Sequence, residues 1–184
     1  MEQDVVEQLL DWVRSHYFGK YRAVVTDNAD PDMRGRLKVR VPSVLDDNEV
    51  WAMPCVPYAG AGVGFYSLPE PDTGVWVEFE AGDPSFPVWT GCFWGAGELP
   101  DQSDPNIKTW KTLKFTLRID DSADELRAEA SSGSKVTISR DVTTESGGAK
   151  HTVGSSGVVS EKSAGKVEVT DASVRVNSGA LEVM

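Results

Sequence analysis

The chain has 184 residues and carries 29 acidic side chains against 18 basic ones, which gives a formal net charge of −11. This sign argues against DNA or RNA as the main partner and against an anionic membrane surface, because both attract proteins through positive side chains. The hydrophobic content of 40% is typical of a folded protein, and the length suits one domain with an appendage.

The sequence contains no apolar run long enough to span a membrane, and its first residues lack the pattern of a signal peptide. We therefore expect no membrane anchoring and no conventional secretion. The two cysteines, Cys55 and Cys92, are too few for a disulfide framework. Both lie in apolar sequence, so we predict buried free thiols, and a single disulfide between them stays open as an alternative.

The first segment, 1–19, is predicted to be an amphipathic helix. Val5, Leu9, Val13 and Tyr17 recur at every fourth position and therefore share one face. Two roles are open for this helix. It packs on its own domain, or it docks between subunits or against a neighbouring ring, and in the second case these residues form the hub-docking surface.

Residues 20–99 are predicted to form a small barrel. Short alternating segments, separated by loops rich in Gly, Pro and Asp, predict strands at 21–26, 36–41, 50–56, 74–80 and 87–94. Five strands of this length without a long helix suit a Greek-key barrel such as the oligonucleotide/oligosaccharide-binding (OB) fold.

Several tryptophans of this segment raise the alternative of a stacking platform for bases or sugars. They are Trp51, Trp76, Trp89 and Trp94. We favour packing in the core or in an interface, because the sequence lacks the basic groove that accompanies base stacking. The alternative function is a carbohydrate- or oligonucleotide-binding OB-fold module with a β-rich stalk.

Residues 100–112 are predicted to be a linker, and 113–184 a tail of short strands. Near the end of the chain, apolar pairs recur seven residues apart between Gly and Ser turns, and their alternation places each pair on one face of a strand. These pairs are Val167/Val169, Val174/Val176 and Leu181/Val183. Between 142 and 161 the pattern thins to isolated valines among Thr, Ser and Gly.

Units that cannot bury their own apolar face are typical of a solenoid or of several chains wound together. Three copies around a narrow axis would bury the valines and isoleucines of all three tails. The residues expected to line this axis are Val136, Ile138, Val167, Val169, Val174, Val176, Leu181 and Val183. A disordered Gly/Ser/Thr-rich tail is the alternative that the composition also permits.

The run from Pro54 to Gly95 resembles the barrel domain of the phage baseplate assembly protein V and VgrG-type central spike family. Its motifs are Gly64-Phe65, Leu68-Pro69-Glu70, Gly74-Val75, Val77-Glu78-Phe79, Gly82-Asp83-Pro84 and Pro87-Val88-Trp89. The arrangement of a barrel before a valine-alternating tail is also similar, so the resemblance covers about residues 20–184. It implies an all-β homotrimer, with a short N-terminal helix, OB-fold-like barrels and an intertwined triangular β-helix.

The resemblance implies a structural central spike of a contractile tail baseplate, which caps the tail tube and pierces the target cell envelope on sheath contraction. It implies no enzymatic activity and no cofactor. Such a protein is located in the virion tail baseplate or in an extracellular contractile particle, after assembly in the bacterial cytoplasm.

The resemblance also implies partners. VgrG proteins carry large hub domains before the barrel, and here only the helix precedes it, so separate hub and tail tube proteins are expected. The end of the needle in this family is covered by a PAAR-type tip protein. The expected contacts with it are Leu181, Glu182, Val183 and Met184.

Metal binding and catalysis receive little support from the sequence. Some short spikes of this family bind iron through a His-x-His pair, but this chain has only His16 and His151, and neither lies in such a pair. We expect no metal site and interpret His151 as solvent-facing, although three copies of it on an axis would suit an ion. The linker 100–112 leaves no room for the lysozyme domain of some relatives, and a peptidoglycan hydrolase is the least favoured alternative.

Overall fold

The structure is a computed structural model that describes residues 2–101 and 104–183. The chain divides into two compact units, Met1–Glu98 and Leu99–Met184. Within the described residues, no helix has the length and apolar character needed to cross a membrane.

The first unit contains a helix followed by a barrel. Its elements are α1 (Glu2–Ser15), β1 (Tyr21–Asp27), β2 (Leu37–Arg40), α2 (Pro42–Leu45), β3 (Glu49–Pro54), β4 (Ala59–Gly60), β5 (Val63–Gly64), β6 (Gly74–Phe79) and β7 (Pro87–Cys92). The barrel closes in the order β1-β2-β3-β7-β6. Its pairs are antiparallel except β3 with β7, which is parallel. This five-stranded closed barrel is the OB fold that the sequence predicts.

The barrel core follows from alternation along its strands. In β6 the side chains of Val75, Val77 and Phe79 are buried while Trp76 and Glu78 face outward, as a two-residue period requires. The buried apolar residues are Ala23, Val25, Leu37, Val39, Val41, Ala52, Val75, Val77, Phe79 and Trp89. Every barrel strand therefore contributes to one core.

The loop between β1 and β2 is organised by a carboxylate. Oδ1 of Asp30 accepts hydrogen bonds from Nε and Nη2 of Arg36, at 3.0 and 2.7 Å. Backbone N–H groups of Asp32, Arg34 and Arg36 also donate to this carboxylate, at 3.0, 2.8 and 3.2 Å. The Arg36 guanidinium holds the pKa of Asp30 well below its usual range, and the backbone donors lower it further.

The second unit is one sheet of ten strands. They are β8 (Ile107–Lys111), β9 (Phe115–Asp120), β10 (Glu125–Ala130), β11 (Lys135–Ile138), β12 (Val142–Ser146), β13 (Ala149–Gly154), β14 (Gly157–Lys162), β15 (Gly165–Val169), β16 (Val174–Val176) and β17 (Leu181–Val183). The strand order in the sheet equals the order in the chain. The sheet is therefore a continuous antiparallel meander.

Three local features differ from the sequence prediction. The segment 100–112, predicted as a linker, contains β8, which pairs with β9. The short helix α2, with Pro42 at its start, and the small β4–β5 hairpin were not predicted. Each consists of only a few residues, so hydrophobic periodicity leaves no signal there.

The prediction of buried cysteines is wrong for the single chain. Cys55 and Cys92 are both free and exposed. Cys92 is the last residue of β7 and follows a bulge in its pairing with β6, and Cys55 lies just after the end of β3. Apolar neighbours in sequence belong here to both faces of a strand, so they do not decide which way a cysteine points.

Candidate assembly surfaces

One face of the ten-stranded sheet carries an unbroken row of apolar side chains. Directly paired residues of antiparallel strands point to the same side of a sheet. The first row, from β9 to β17, consists of Ile119, Leu126, Ile138, Val142, Val153, Val158, Val169, Val174 and Val183, each paired with the next.

A second row runs beside the first on the same face, because its members lie two residues from those of the first row. It consists of Trp110, Leu117, Ala128, Val136, Thr144, His151, Ser160, Val167, Val176 and Leu181. We call the side of the sheet that carries both rows the apolar face.

Much of the apolar face is exposed in the single chain. Trp110 is 55% exposed at one end, Ile138 is 46% exposed near the middle, and Val183 is 59% exposed at the other end. Monomeric proteins rarely leave contiguous apolar patches this extensive in water, and such patches mark surfaces that another chain covers.

The opposite face of the sheet is polar. Between the apolar positions lie Thr, Arg, Lys and Glu side chains, several of them in ion pairs. These pairs are Arg118–Asp101, Arg118–Asp120, Arg127–Glu129, Lys135–Glu145 and Lys166–Glu168, with N···O distances of 2.9 to 3.6 Å. A sheet with one apolar and one charged face is built to be covered on one side only.

The structure brings all the residues predicted to line an axis onto this one apolar face. Sequence reasoning missed other members of the two rows, namely Trp110, Leu117, Ile119, Leu126, Val142, Val153 and Val158. The signal was present in the isolated valines between 142 and 161, because Val142, Val153 and Val158 all fall in the first row.

The second row is interrupted at its centre. Thr144, His151 and Ser160 are direct neighbours on β12, β13 and β14, and we call them the polar band. Nδ1 of His151 lies 2.7 Å from Oγ of Ser160. His151 is exposed in the single chain, but on the apolar face rather than on the charged one.

The predicted tip contacts lie on the last strand of the sheet. β17 occupies one end of the strand order and pairs with β16. Leu181 and Val183 are about 60% exposed. Met184 and the side chain of Glu182 lie outside the described residues.

The helix α1 carries a second apolar surface. Val5, Leu9 and Val13 are each more than half exposed. Val6, Leu10 and Trp12 lie beside them and are also exposed. We call these six residues the free face of α1.

Tyr17 does not join the free face. It follows the helix, its backbone N–H donates to the carbonyl oxygen of Gly82 at 2.7 Å, and its ring lies 6.1 Å from the rings of both Tyr21 and Phe79. Tyr17 therefore packs on the barrel, and of the residues predicted for hub docking only Val5, Leu9 and Val13 stay available.

The barrel tryptophans do not gather into a stacking platform. Trp89 is buried in the core, and Trp51 lies under the guanidinium of Arg36, with Cζ 5.3 Å from the ring centroid. Trp76 packs against Phe93, with 5.0 Å between ring centroids. These three positions fit packing roles and do not favour the alternative of base or sugar stacking, whereas Trp94 is 65% exposed.

Residues 21–94 match the family model of the type VI secretion system/phage-baseplate injector OB domain. This range begins with β1 and ends just after β7, so it coincides with the closed barrel. The barrel is an injector OB domain. The resemblance of the chain to the VgrG-type baseplate family is thereby confirmed.

The injector OB domain also has a named relative. The chain is 29% identical over 107 residues to the actin cross-linking toxin VgrG1 of Vibrio cholerae serotype O1, which covers 55% of this chain and 10% of that protein. The chain thus spans about a tenth of the length of the curated relative that it matches. Helix α1 and the ten-stranded sheet lie outside the injector OB domain, so their roles are argued from their own geometry.

Proposed function

We propose that the chain is the structural central spike of a contractile tail baseplate, which caps the tail tube and pierces the target cell envelope when the sheath contracts. The observation that carries this proposal is the continuous apolar face of a ten-stranded meander in the same chain as an injector OB domain. A sheet with one apolar face serves as one wall of a closed needle.

Three copies supply the missing cover. Each apolar face packs against the other two around a common axis, and the charged faces form the outside of a triangular needle. Obligate interfaces of this kind bury thousands of Å² and leave no stable monomer. The needle resists bending because any chain that peels away exposes the apolar rows of all three.

The two ends of the chain supply the contacts to other proteins. The free face of α1 docks on a separate hub or tube protein, since its apolar side chains stay exposed on their own domain. The edge of β17 leaves backbone groups that need cover, because an open strand edge otherwise invites unwanted pairing. A PAAR-type tip protein is the proposed cover.

We propose no catalytic role. The shifted carboxyl pKa values belong to groups that fix loops and strands: the pKa of Asp120 is lowered by the backbone N–H of Ala123 and by Arg118, and the pKa of Asp83 by the N–H and hydroxyl of Ser85. The toxin activity in the relative's name belongs to a protein of which this chain covers a tenth. The proposed location is the virion tail baseplate or an extracellular contractile particle, with assembly in the bacterial cytoplasm.

The absolute mass of the complete purified chain, measured by light scattering, tests this proposal. We expect a mass close to three times the 20.0 kDa of one chain, and a band on an unboiled gel that resists SDS. A single-chain mass, together with rapid proteolysis of residues 104–183, would overturn the spike assignment.

A further inference from the structure

The polar band is the one place where the second row stops being apolar. Its three members follow each other across β12, β13 and β14, between Val136 on one side and Val167 on the other. Beside it, the first row stays apolar throughout. A histidine in this position is not on the solvent side of the needle wall.

When other copies of the chain cover the apolar face, the side chains of the polar band lose water as a hydrogen-bond partner. Water is excluded when the copies pack, and buried polar atoms almost always retain a hydrogen-bond or metal partner. Within the described residues of one chain, Nδ1 of His151 has Ser160 Oγ as its partner at 2.7 Å. Among the described residues of that chain, the hydrogen bonds include none to Nε2 of the same ring.

We propose that three His151 side chains, one from each copy, bind a divalent transition-metal ion of the zinc class on the trimer axis. The site is incomplete in a single chain, so this inference rests on the proposed trimeric spike. In the tautomer that carries its proton on Nδ1, His151 donates to Ser160 Oγ and keeps the lone pair on Nε2 for a metal, which is the arrangement of metal-binding histidines. Three imidazole ligands leave a fourth tetrahedral position for water.

The chemistry of the site favours a cation over an anion. Neutral imidazole is a preferred ligand of zinc, copper and nickel ions. Lys150 directly precedes His151 but points to the charged face, where it pairs with Glu161. On the apolar face, Lys162 pairs with Ala149 and lies two residues from Ser160. Its long flexible side chain can carry the ammonium group away from an apolar interior.

Metal titration of the complete chain tests the proposal. The protein is stripped with a chelator, its trimeric mass is checked by light scattering, and zinc is counted by elemental analysis after dialysis. We expect one zinc ion per three chains, and visible absorption of tetrahedral cobalt when Co²⁺ replaces zinc. His151→Asn should abolish both signals, while His16→Asn, which changes the other histidine of the chain, should leave both unchanged.

A second variant separates metal binding from folding. Ser160→Ala removes only the hydrogen bond behind the ligand and should weaken zinc binding about 10- to 100-fold, so it carries the test if His151→Asn does not assemble. A trimer that binds no zinc or cobalt, binds them equally well as His151→Asn, or holds an anion there instead overturns this proposal alone. A wild-type monomer overturns both this proposal and the spike.

Discussion

Asp30 shows how a single buried carboxylate shapes a loop. Its side chain is 3% exposed and that of its partner Arg36 is 15% exposed, and backbone donors of the same loop converge on it. Because Arg36 also lies over Trp51 on β3, the network ties the β1–β2 loop to the barrel wall. The loss of one partner leaves the others without a charge to satisfy them.

We predict that, at pH 7, Asp30→Asn unfolds at a lower urea concentration than the wild-type barrel. The pKa of Asp30 is depressed in the folded state, so its stabilisation is present above the unfolded pKa of about 3.9 and is lost as the pH falls through the lower folded pKa. The difference between wild type and variant should therefore shrink below about pH 4. Asp32→Asn is the control, because Asp32 reaches the same Arg36 through one contact and is 58% exposed. Equal midpoints at pH 7, or a difference that grows on acidification, would contradict this assignment.

Gly157 is the glycine at which a side chain fits least well in the sheet. Its φ is +133°, and an added Cβ would collide with the carbonyl oxygen of Val169 on the neighbouring strand. Gly157→Ala should therefore cost about 1–3 kcal/mol or more and lower the thermal midpoint of the second unit. At Gly165 an added Cβ would meet the carbonyl oxygen of Lys162 at an ordinary 3.5 Å, so Gly165→Ala should change the midpoint much less. The two variants melting alike by circular dichroism would refute the strain argument.

At the scale of elements, the exposure of α1 distinguishes between its two possible roles, packing on its own domain and docking on another protein. Leu9 is 59% exposed, so the helix buries little of its apolar face on its own domain. We predict that Leu9→Asp changes the free energy of unfolding of the barrel by no more than about 0.5 kcal/mol, yet prevents incorporation into contractile particles. Gln8→Asp, on the polar side of the same helix, should affect neither. A large loss of barrel stability in Leu9→Asp would show instead that the helix packs on its own domain.

The elements also show how far periodicity reaches. The barrel strands were predictable because their inward positions are all apolar, as in Val75, Val77 and Phe79 of β6. On β12 and β13, the first row holds the apolar residues Val142 and Val153, but the second row holds the polar residues Thr144 and His151. A two-residue apolar period does not exist there, so the strands are set by pairing with their neighbours.

The assembly surfaces were partly predictable for the same reason. Apolar pairs such as Val167 and Val169 reveal one face of a strand, but the sequence alone does not show which residues become direct neighbours across strands. Pairing turns distant single valines, such as Val142 and Val158, into one row. Tyr17 was misplaced because helical spacing continues past the point where α1 ends at Ser15.

At the scale of the whole molecule, the account rests on what covers the apolar face. Residues 21–94 match the injector OB domain, and the two-faced sheet supports the proposed trimer. If three copies cover each other, a charge on the apolar face places three like charges in a dry interior, at a cost of several kcal/mol per ion. The same charge on the outer face meets water and basic neighbours.

Adjacent residues of β11 offer the most direct test. Val136 lies in the second row, and Thr137 faces the charged side opposite Arg127. The measurement is the absolute mass of the complete chain by light scattering for Val136→Asp and Thr137→Asp. The account predicts that Thr137→Asp keeps the mass of three chains and that Val136→Asp loses it. A normal trimer in Val136→Asp, or loss of the trimer in both variants alike, would contradict the claim that the apolar face is the interior of the needle.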